Sequence, residues 1–333
     1  MRNRQYRKPK PALGFAGKFI RFTKYKVLGQ DESGEDILGP GVDVLTDPFG
    51  NMILDQGLDY LGSQSWDNLA AVHLGTGNTA PTGSETSISG YVSGSSTDGV
   101  GAASGVDSGG AYLYRRISKR FAAGSASGVN LASVAVGHRV EAGEIFSLAL
   151  IKDTGGSPTT ITLAADEVLD VVYELRAYIQ LGETTTSATV DGVSTTVTTR
   201  LHGSLTDAAW LKFAGALGAG LMTTFSANNR NTAYCVENQP ALASIPYWVG
   251  YGDETIPTRT YTPGSYAVHL RFDSALGSNN FASGLGAVVL STADLGYASN
   301  NGAWSWGFNP KLNKTAARTA EVTVGVSWGR YTP

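Results

Sequence analysis

The side chains that could carry out chemistry are few in this sequence and lie far apart. Histidine occurs four times, each time alone, at His73, His138, His202 and His269. A metal or acid–base centre needs polar residues at short, regular spacing, and the HExxH, GxSxG and Walker motifs do not occur. Each histidine is therefore interpreted as an ordinary sheet or loop residue. The sequence predicts no catalytic residue, no metal ion and no cofactor.

Two pairs of adjacent acids, Asp166–Glu167 and Asp253–Glu254, could in principle flank a glycosidic bond. Neighbouring residues of a strand point to opposite faces of a sheet, so the carboxylates of one pair would not act on the same bond. The glycine-rich segment GTGNTAP, residues 75–81, lacks the Lys and the Ser or Thr that complete a phosphate-binding loop. A polysaccharide depolymerase is therefore the last of three functional hypotheses.

A second group of candidate residues is aromatic and lies in the C-terminal half. Trp304, Trp306 and Phe308 alternate along the chain, which places three rings on one face of a predicted strand. Trp248 lies in another aromatic segment, residues 245–253. Such rings can fill a core, form a subunit interface or stack on a sugar. The sequence leaves these alternatives open, and binding of a surface glycan is the second hypothesis.

The N-terminal segment has the strongest charge asymmetry in the chain. Nine Lys and Arg residues precede the first acid, Asp31, although the net charge is −3. Basic blocks are typical of interaction tails, and aromatic residues follow the first charges. We predict an arm whose anchoring residues are Arg2, Arg4, Arg7, Lys8, Lys10, Phe15, Phe19 and Phe22. No nucleic-acid-reading module accompanies the charges, so an acidic protein surface is the expected partner rather than nucleic acid.

Composition favours strands over long helices. The 333 residues include 42 glycines, and 16% of residues are charged, which is below the roughly 25% of typical soluble domains. The single cysteine, Cys235, excludes an intrachain disulfide. No apolar run of about 18 residues predicts a membrane span, and the basic N-terminus lacks the apolar core of a signal peptide. We expect cytoplasmic synthesis and no membrane partner.

Alternation of apolar and polar residues locates most of the predicted strands. Residues 169–179 alternate most clearly, with Asp170, Glu174 and Arg176 on a face that is expected to be an ordinary solvated or intersubunit edge. Other strands are predicted at 19–28, 112–121, 145–151, 261–272, 286–290 and 321–328. Turns are predicted at DESGED, residues 31–36, and at Asp191–Gly192. Short helices are predicted at 51–62 and 206–217, and the Ser- and Gly-rich residues 93–110 are predicted to be a long loop.

These elements together predict an all-β, mainly antiparallel fold. We expect two β-sandwich or jelly-roll-like domains, one or two short helices and an extended N-terminal arm. The predicted boundaries are 1–40 for the arm and first strand, 41–180 for the first domain and 181–333 for the second.

Four segments, taken in order, resemble structural proteins that are encoded in the tail modules of tailed bacteriophages. They are TDPFGNMILDQGLDYLGS (46–63), VHLGTGNTAPTGSETSISGYV (72–92), RRISKRFAAGSASGVNLASVAVG (115–137) and IFSLALIKDTGGSPTTITLAADEVLDVVYELRAYI (145–179). The resemblance covers about residues 45–180. It implies a non-enzymatic virion component in the tail, neck, collar or baseplate, such as a fibre or adaptor protein, present in multiple copies and bound to other virion proteins. It supplies no catalytic residues, and a receptor-binding protein that recognises a host surface glycan is the alternative.

Overall fold

The structure is a computed structural model of the chain. It describes residues 12–45, 47–63, 69–96, 99–141, 143–179, 182–190, 193–201, 233–236, 238–239, 254–255, 258–274, 283–291, 302–314 and 320–331.

The described residues form one helix, α1 (Asp55–Ser63), and 22 strands. The strands before residue 180 are β1 (Ala12–Gln30), β2 (Asp36–Leu38), β3 (Val42–Leu45), β4 (Phe49–Ile53), β5 (Ala71–Gly75), β6 (Tyr91–Ser96), β7 (Gly99–Asp107), β8 (Gly110–Phe121), β9 (Asn130–Leu131), β10 (Ser133–Gly137), β11 (Ile145–Leu150), β12 (Ile161–Thr162) and β13 (Glu167–Ile179). Those after it are β14 (Gly182–Val190), β15 (Val193–Leu201), β16 (Ala233–Val236), β17 (Glu254–Thr255), β18 (Thr258–Tyr261), β19 (Ala267–Ser274), β20 (Leu285–Ser291), β21 (Gly302–Leu312) and β22 (Ala320–Arg330). The all-β, mainly antiparallel prediction is confirmed.

Strand β1 is the central element of the largest sheet. Along one edge it pairs antiparallel with β13, from Leu13 opposite Ile179 to Lys26 opposite Glu167. Four strands share its other edge in succession: β22, which runs parallel to it, then β4, β3 and β2. Strand β8 pairs with the far edge of β13, and β7 pairs with β8. Most of β1 is therefore held from both sides, and its last residues, 27–30, pair with β2 alone.

The inward face of β1 is aromatic and fills the core. Leu13, Phe15 and Phe19 alternate inward, and a register shift between Phe19 and Arg21 turns Phe22 inward as well. All four side chains are 2% exposed or less. The prediction that Phe15, Phe19 and Phe22 anchor the chain to a partner is therefore wrong. The rings lie in the chain's own core because the strand that carries them is paired on both edges.

Strand β4 connects the two layers of the sandwich. Its first residues, 49–51, pair with β1, and its last residues, 52–53, pair with β11. Strands β11, β10, β5 and β6 continue the second sheet. Helix α1 follows β4 and overlaps the predicted helix 51–62 from residue 55, whereas residues 51–53 belong to β4. It buries Leu58 and Leu61 against the core. The helix predicted at 206–217 lies outside the described residues.

Strands from the C-terminal part cross the predicted boundary at residue 180. Strand β22 pairs with β1, β19 with β22, and β18 with β19, so these strands extend the first sheet. Trp328 donates its indole hydrogen to the Leu58 carbonyl at 2.8 Å, and the Tyr261 hydroxyl donates to the Asp59 carboxylate. The other strands form a six-stranded sheet in the order β14-β15-β21-β20-β16-β17. Strand pairing therefore crosses the predicted boundaries between 1–40, 41–180 and 181–333. These ranges are not separately hydrogen-bonded units, because strands distant in sequence pair with one another.

The segment predicted as a long loop, residues 93–110, is also different in the structure. Most of it belongs to β6 and β7, and β7 pairs with β8 from Gly99 opposite Ser118 to Asp107 opposite Gly110. Strand β7 was not predicted because its glycine and serine residues do not produce an alternation of apolar and polar residues. The hairpin predicted around Asp191–Gly192 is present in the pairing, since β14 and β15 meet at Val190 opposite Val193.

Candidate functional site

Where the structure describes the side chains of residues predicted to form functional sites, those side chains lie in the hydrophobic core. Trp306 is fully buried and Phe308 is 6% exposed. Both rings lie in the core, which corrects the hypothesis that they bind glycan or a neighbouring subunit. The backbone of Trp304 lies in β21, whereas its side chain is outside the described part. The remaining predicted residues, Arg2, Arg4, Arg7, Lys8, Lys10 and Trp248, lie outside the described residues.

The three described histidines differ in burial and in hydrogen-bond partners. His73 is fully buried, donates from Nε2 to the Arg139 carbonyl at 2.6 Å, and has its pKa lowered by burial. His138 lies 2.6 Å from the Glu144 carboxylate, and His269 is exposed. Within the described ranges, no three His, Cys, Asp or Glu residues form a group that could hold a metal ion. None of the helical residues in those ranges forms a segment long and apolar enough to cross a membrane.

A buried ionic cluster lies on the outward face of β13. Glu174 is opposite Lys18 on β1 and Arg116 on β8. Its carboxylate accepts from Arg116 Nη2 at 2.6 Å and from Arg176 Nε at 2.7 Å, and its side chain is only 2% exposed. Glu174 was expected at a solvated or intersubunit edge, and the solvated alternative is wrong because the side chain is buried within the chain itself. Cations from its own and the neighbouring strand cover it.

The cluster continues from Arg176 toward the C-terminal end of the described chain. Arg176 Nη1 lies 2.6 Å from Asp107 Oδ2, which also accepts from the Tyr178 hydroxyl at 2.8 Å. Burial alone would lower the pKa of Arg176, but hydrogen bonds with Tyr178 and Glu174 raise it. The Tyr331 ring stacks on Tyr178 with centroids 3.8 Å apart. Glu174, Arg116, Arg176 and Asp107 are all ion-paired within the cluster. The cluster is therefore expected to hold the strands rigidly in place rather than to act as a reactive centre.

A groove and a projecting hairpin occupy the other end of the same outward face. The hairpin consists of the end of β1 and β2, paired from Val27 opposite Leu38 to Gln30 opposite Asp36. The groove has a volume of about 700 Å³. Its lining residues are Gln30, Gly34, Glu35, Asp36 and Leu38 from the hairpin, and Ser118, Lys119, Arg120, Ala122, Val168 and Asp170 from β8, β13 and the residue after β8. We call these residues the hairpin groove.

The turn of this hairpin presents carboxylates without paired cations. Asp31 fixes the turn, because its Oδ1 accepts from the Ser33 hydroxyl at 2.6 Å and from the Ser33 and Glu35 amides, and these bonds lower the pKa of Asp31. Gly34 has a φ of 86°, which favours glycine. Within the described residues, Glu32, Glu35 and Asp36 form no ion pair. We call residues 31–36 the acidic turn.

The opposite wall of the hairpin groove contains a neutralised pair. Arg120 donates from Nε and Nη2 to the two oxygens of Asp170, each at 2.7 Å. The acidic turn therefore supplies the unpaired charge of the groove, whereas Arg120 and Asp170 cancel each other. The turn itself was predicted from DESGED and is confirmed. The four acids within six residues are visible in the sequence, but their position over a groove depends on long-range pairing.

Comparisons with protein-family models, with curated proteins and with solved structures found no match.

Proposed function

We propose that this chain is a structural component of a tailed-bacteriophage virion. It would be a fibre or adaptor protein of the tail, neck, collar or baseplate, present in multiple copies and bound to other virion proteins. The resemblance over about residues 45–180 supports this proposal. Its basic N-terminal residues, Arg2, Arg4, Arg7, Lys8 and Lys10, serve as the anchor.

The observation that carries the proposal is the position of β1. The basic residues directly precede a 19-residue strand whose two edges are both paired. The hydrogen bonds between β1 and β13 lie perpendicular to both strands. A force along β1 is therefore shared by all of these hydrogen bonds and does not break them one after another. A tether that continues into such a strand transmits force to the body of the protein without unravelling it. This is the mechanical property that a particle component requires.

Deletion of residues 2–11 from the gene in the phage that carries it tests the anchor. The deletion ends before Ala12 because the strand that begins there belongs to the core. We expect the truncated protein to unfold at the same temperature as the full chain but to be missing from purified particles. A full-length variant with the five cations changed to Gln is the matched control for charge.

Two outcomes would contradict the proposal in different ways. Truncated chain present in particles at its normal copy number would refute the anchor. Absence of the full-length chain from purified particles would refute the virion role itself.

A further inference from the structure

We propose that protonation of His73 releases residues 138–141 from the second sheet, so that this surface segment opens as the pH falls. We call residues 138–141 the latch. The inference goes beyond the proposed function and does not depend on it, because it concerns a conformational change that is built into the fold itself.

The latch follows β10 and lies against the face of the second sheet that is opposite to the main core. On that face His73 is paired with Ala135, and Ala135 is paired with Leu148. Ala135 and Leu148 belong to a small apolar cluster that is separate from the main core. Release of the latch therefore concerns this small cluster rather than the main core.

Two side chains of the sheet hold the latch through its backbone. His73 on β5 donates from Nε2 to the Arg139 carbonyl at 2.6 Å, and Tyr91 on β6 donates from its hydroxyl to the Val140 carbonyl at 2.8 Å. The latch also passes very close to β6, since a Cβ at Gly94 would overlap the Val140 carbonyl. The position of two successive latch residues thus depends on one imidazole hydrogen and one phenol hydrogen.

His73 fits this arrangement only as a neutral imidazole. Its side chain is fully buried, and its Nδ1 atom has no hydrogen-bond partner among the described residues. A neutral ring with its hydrogen on Nε2 needs one acceptor, which the Arg139 carbonyl supplies. Protonation would add a second N–H, at Nδ1, without an acceptor and would place a charge in a buried site. Burial accordingly lowers the pKa of His73.

The groups around His73 do not remove this cost. Strands β5 and β10 contribute no other titratable side chain, and Tyr91, whose pKa is raised by burial, stays neutral at acidic pH. The carboxylate of Glu141 favours a protonated His73, whereas His138 disfavours it. The pKa of His73 is lowered on balance, and burial is the largest cause.

A second contact of the latch responds to acid in the opposite direction. His138 lies 2.6 Å from the Glu144 carboxylate and stacks on Tyr60, with ring centroids 4.5 Å apart. Arg139 Nε lies 3.3 Å from the same carboxylate. A protonated His138 attracts Glu144 more strongly than a neutral one does, so this contact does not weaken when the histidines become charged. Opening is therefore assigned to His73.

The balance between the closed and the open latch follows from this difference in proton binding. Above about pH 6.5, the ordinary pKa of histidine, the imidazole is neutral in both states and pH has no effect. Between that value and the lowered pKa of the closed state, only the open state binds a proton, so each fall of one pH unit favours the open state about tenfold more. Below the lowered pKa both states are protonated and the effect levels off.

Limited proteolysis of the full-length chain measures this opening at the latch itself. Thermolysin cuts before Val140 when the segment is freed from the sheet, and the cleavage rate then follows the population of the open state. Mass spectrometry measures cleavage between Arg139 and Val140 from about pH 7.5 to about pH 5, and each rate is divided by that of a free peptide with the sequence of residues 135–147 at the same pH. We expect the normalised rate to rise about tenfold per pH unit below about pH 6.5.

Three variants assign the effect to one histidine. His73→Gln keeps a donor for the Arg139 carbonyl but does not titrate, so its normalised cleavage rate should not change with pH. His138→Gln and His269→Gln are the matched controls, since His138 lies within the latch and His269 is exposed on β19. Both controls should keep the rise of about tenfold per pH unit.

Histidine and methyl NMR of the wild-type chain keep the inference testable if His73→Gln does not fold. We expect His73 to become protonated below about pH 6.5 and the Val140 methyl signals to shift along the same curve. Protonation of His73 with unchanged Val140 signals would refute the release of the latch.

Three results of the proteolysis would also overturn the inference. They are a normalised rate that stays constant in the wild type, a His73→Gln variant as pH-sensitive as the wild type, and cleavage outside the latch that rises in parallel. The last result would mean that His73 becomes protonated only when the whole chain unfolds.

Discussion

Replacing Phe19 with Ala tests whether the residues after position 11 belong to the core or to a partner-binding arm. Phe19 is fully buried, and its ring centroid lies 5.2 Å from Tyr173, 5.6 Å from Phe49 and 5.8 Å from Phe22. Truncation of a buried Phe to Ala costs about 3–5 kcal/mol, through lost burial and the cavity left behind. Since whole domains are stable by only about 5–15 kcal/mol, this loss is a large share of the total.

Equilibrium urea unfolding, followed by tryptophan fluorescence, measures the effect. The neighbouring variant Ile20→Ala is the control, because Ile20 lies at the register shift and is only partly buried. We expect its free energy of unfolding to fall by about 1 kcal/mol, as is usual away from the core. An unchanged free energy of unfolding in Phe19→Ala, together with loss of the chain from particles, would refute the core assignment and restore Phe19 as a partner contact.

Three further substitutions test the packing and electrostatics of the same sheet. Gly17→Ala should lower the free energy of unfolding by about 1–3 kcal/mol, because its Cβ would overlap Asn51 and the Tyr173 hydroxyl, and wild-type stability in urea would contradict this. Glu174→Gln should cost about 2–3 kcal/mol, since it leaves two guanidinium groups facing a neutral amide, and thermal unfolding should then depend less on salt. The hydrogen bond from Lys24 lowers the pKa of Glu167, so this carboxylate stabilises the fold above its unfolded pKa and loses that contribution as pH falls through the folded pKa. Glu167→Gln should therefore flatten the fall in stability below about pH 4.3, and a variant as acid-sensitive as the wild type would show that another group is responsible.

The two faces of β13 show how far alternation predicts structure. The inward residues Leu169, Val171 and Leu175 were expected from the period of two, and all are buried. The outward face was expected to be a solvated or intersubunit edge, because it carries charges. Glu174 is nevertheless buried, because Arg116 covers it. Arg116 comes from a strand more than fifty residues earlier in the chain. A local pattern specifies which way a side chain points but not which distant residue covers it.

Strand β1 was only partly predicted, because its basic residues and a register shift both interrupt the alternation of apolar and polar residues. The basic residues between its aromatics indicate an arm when they are considered alone. The register shift between Phe19 and Arg21 also interrupts the period of two, so that Phe22 follows Phe19 inward after three residues instead of two. The parallel pairing of Ala12 with Ser327 joins residues from opposite ends of the sequence, and no local signal reports such a contact.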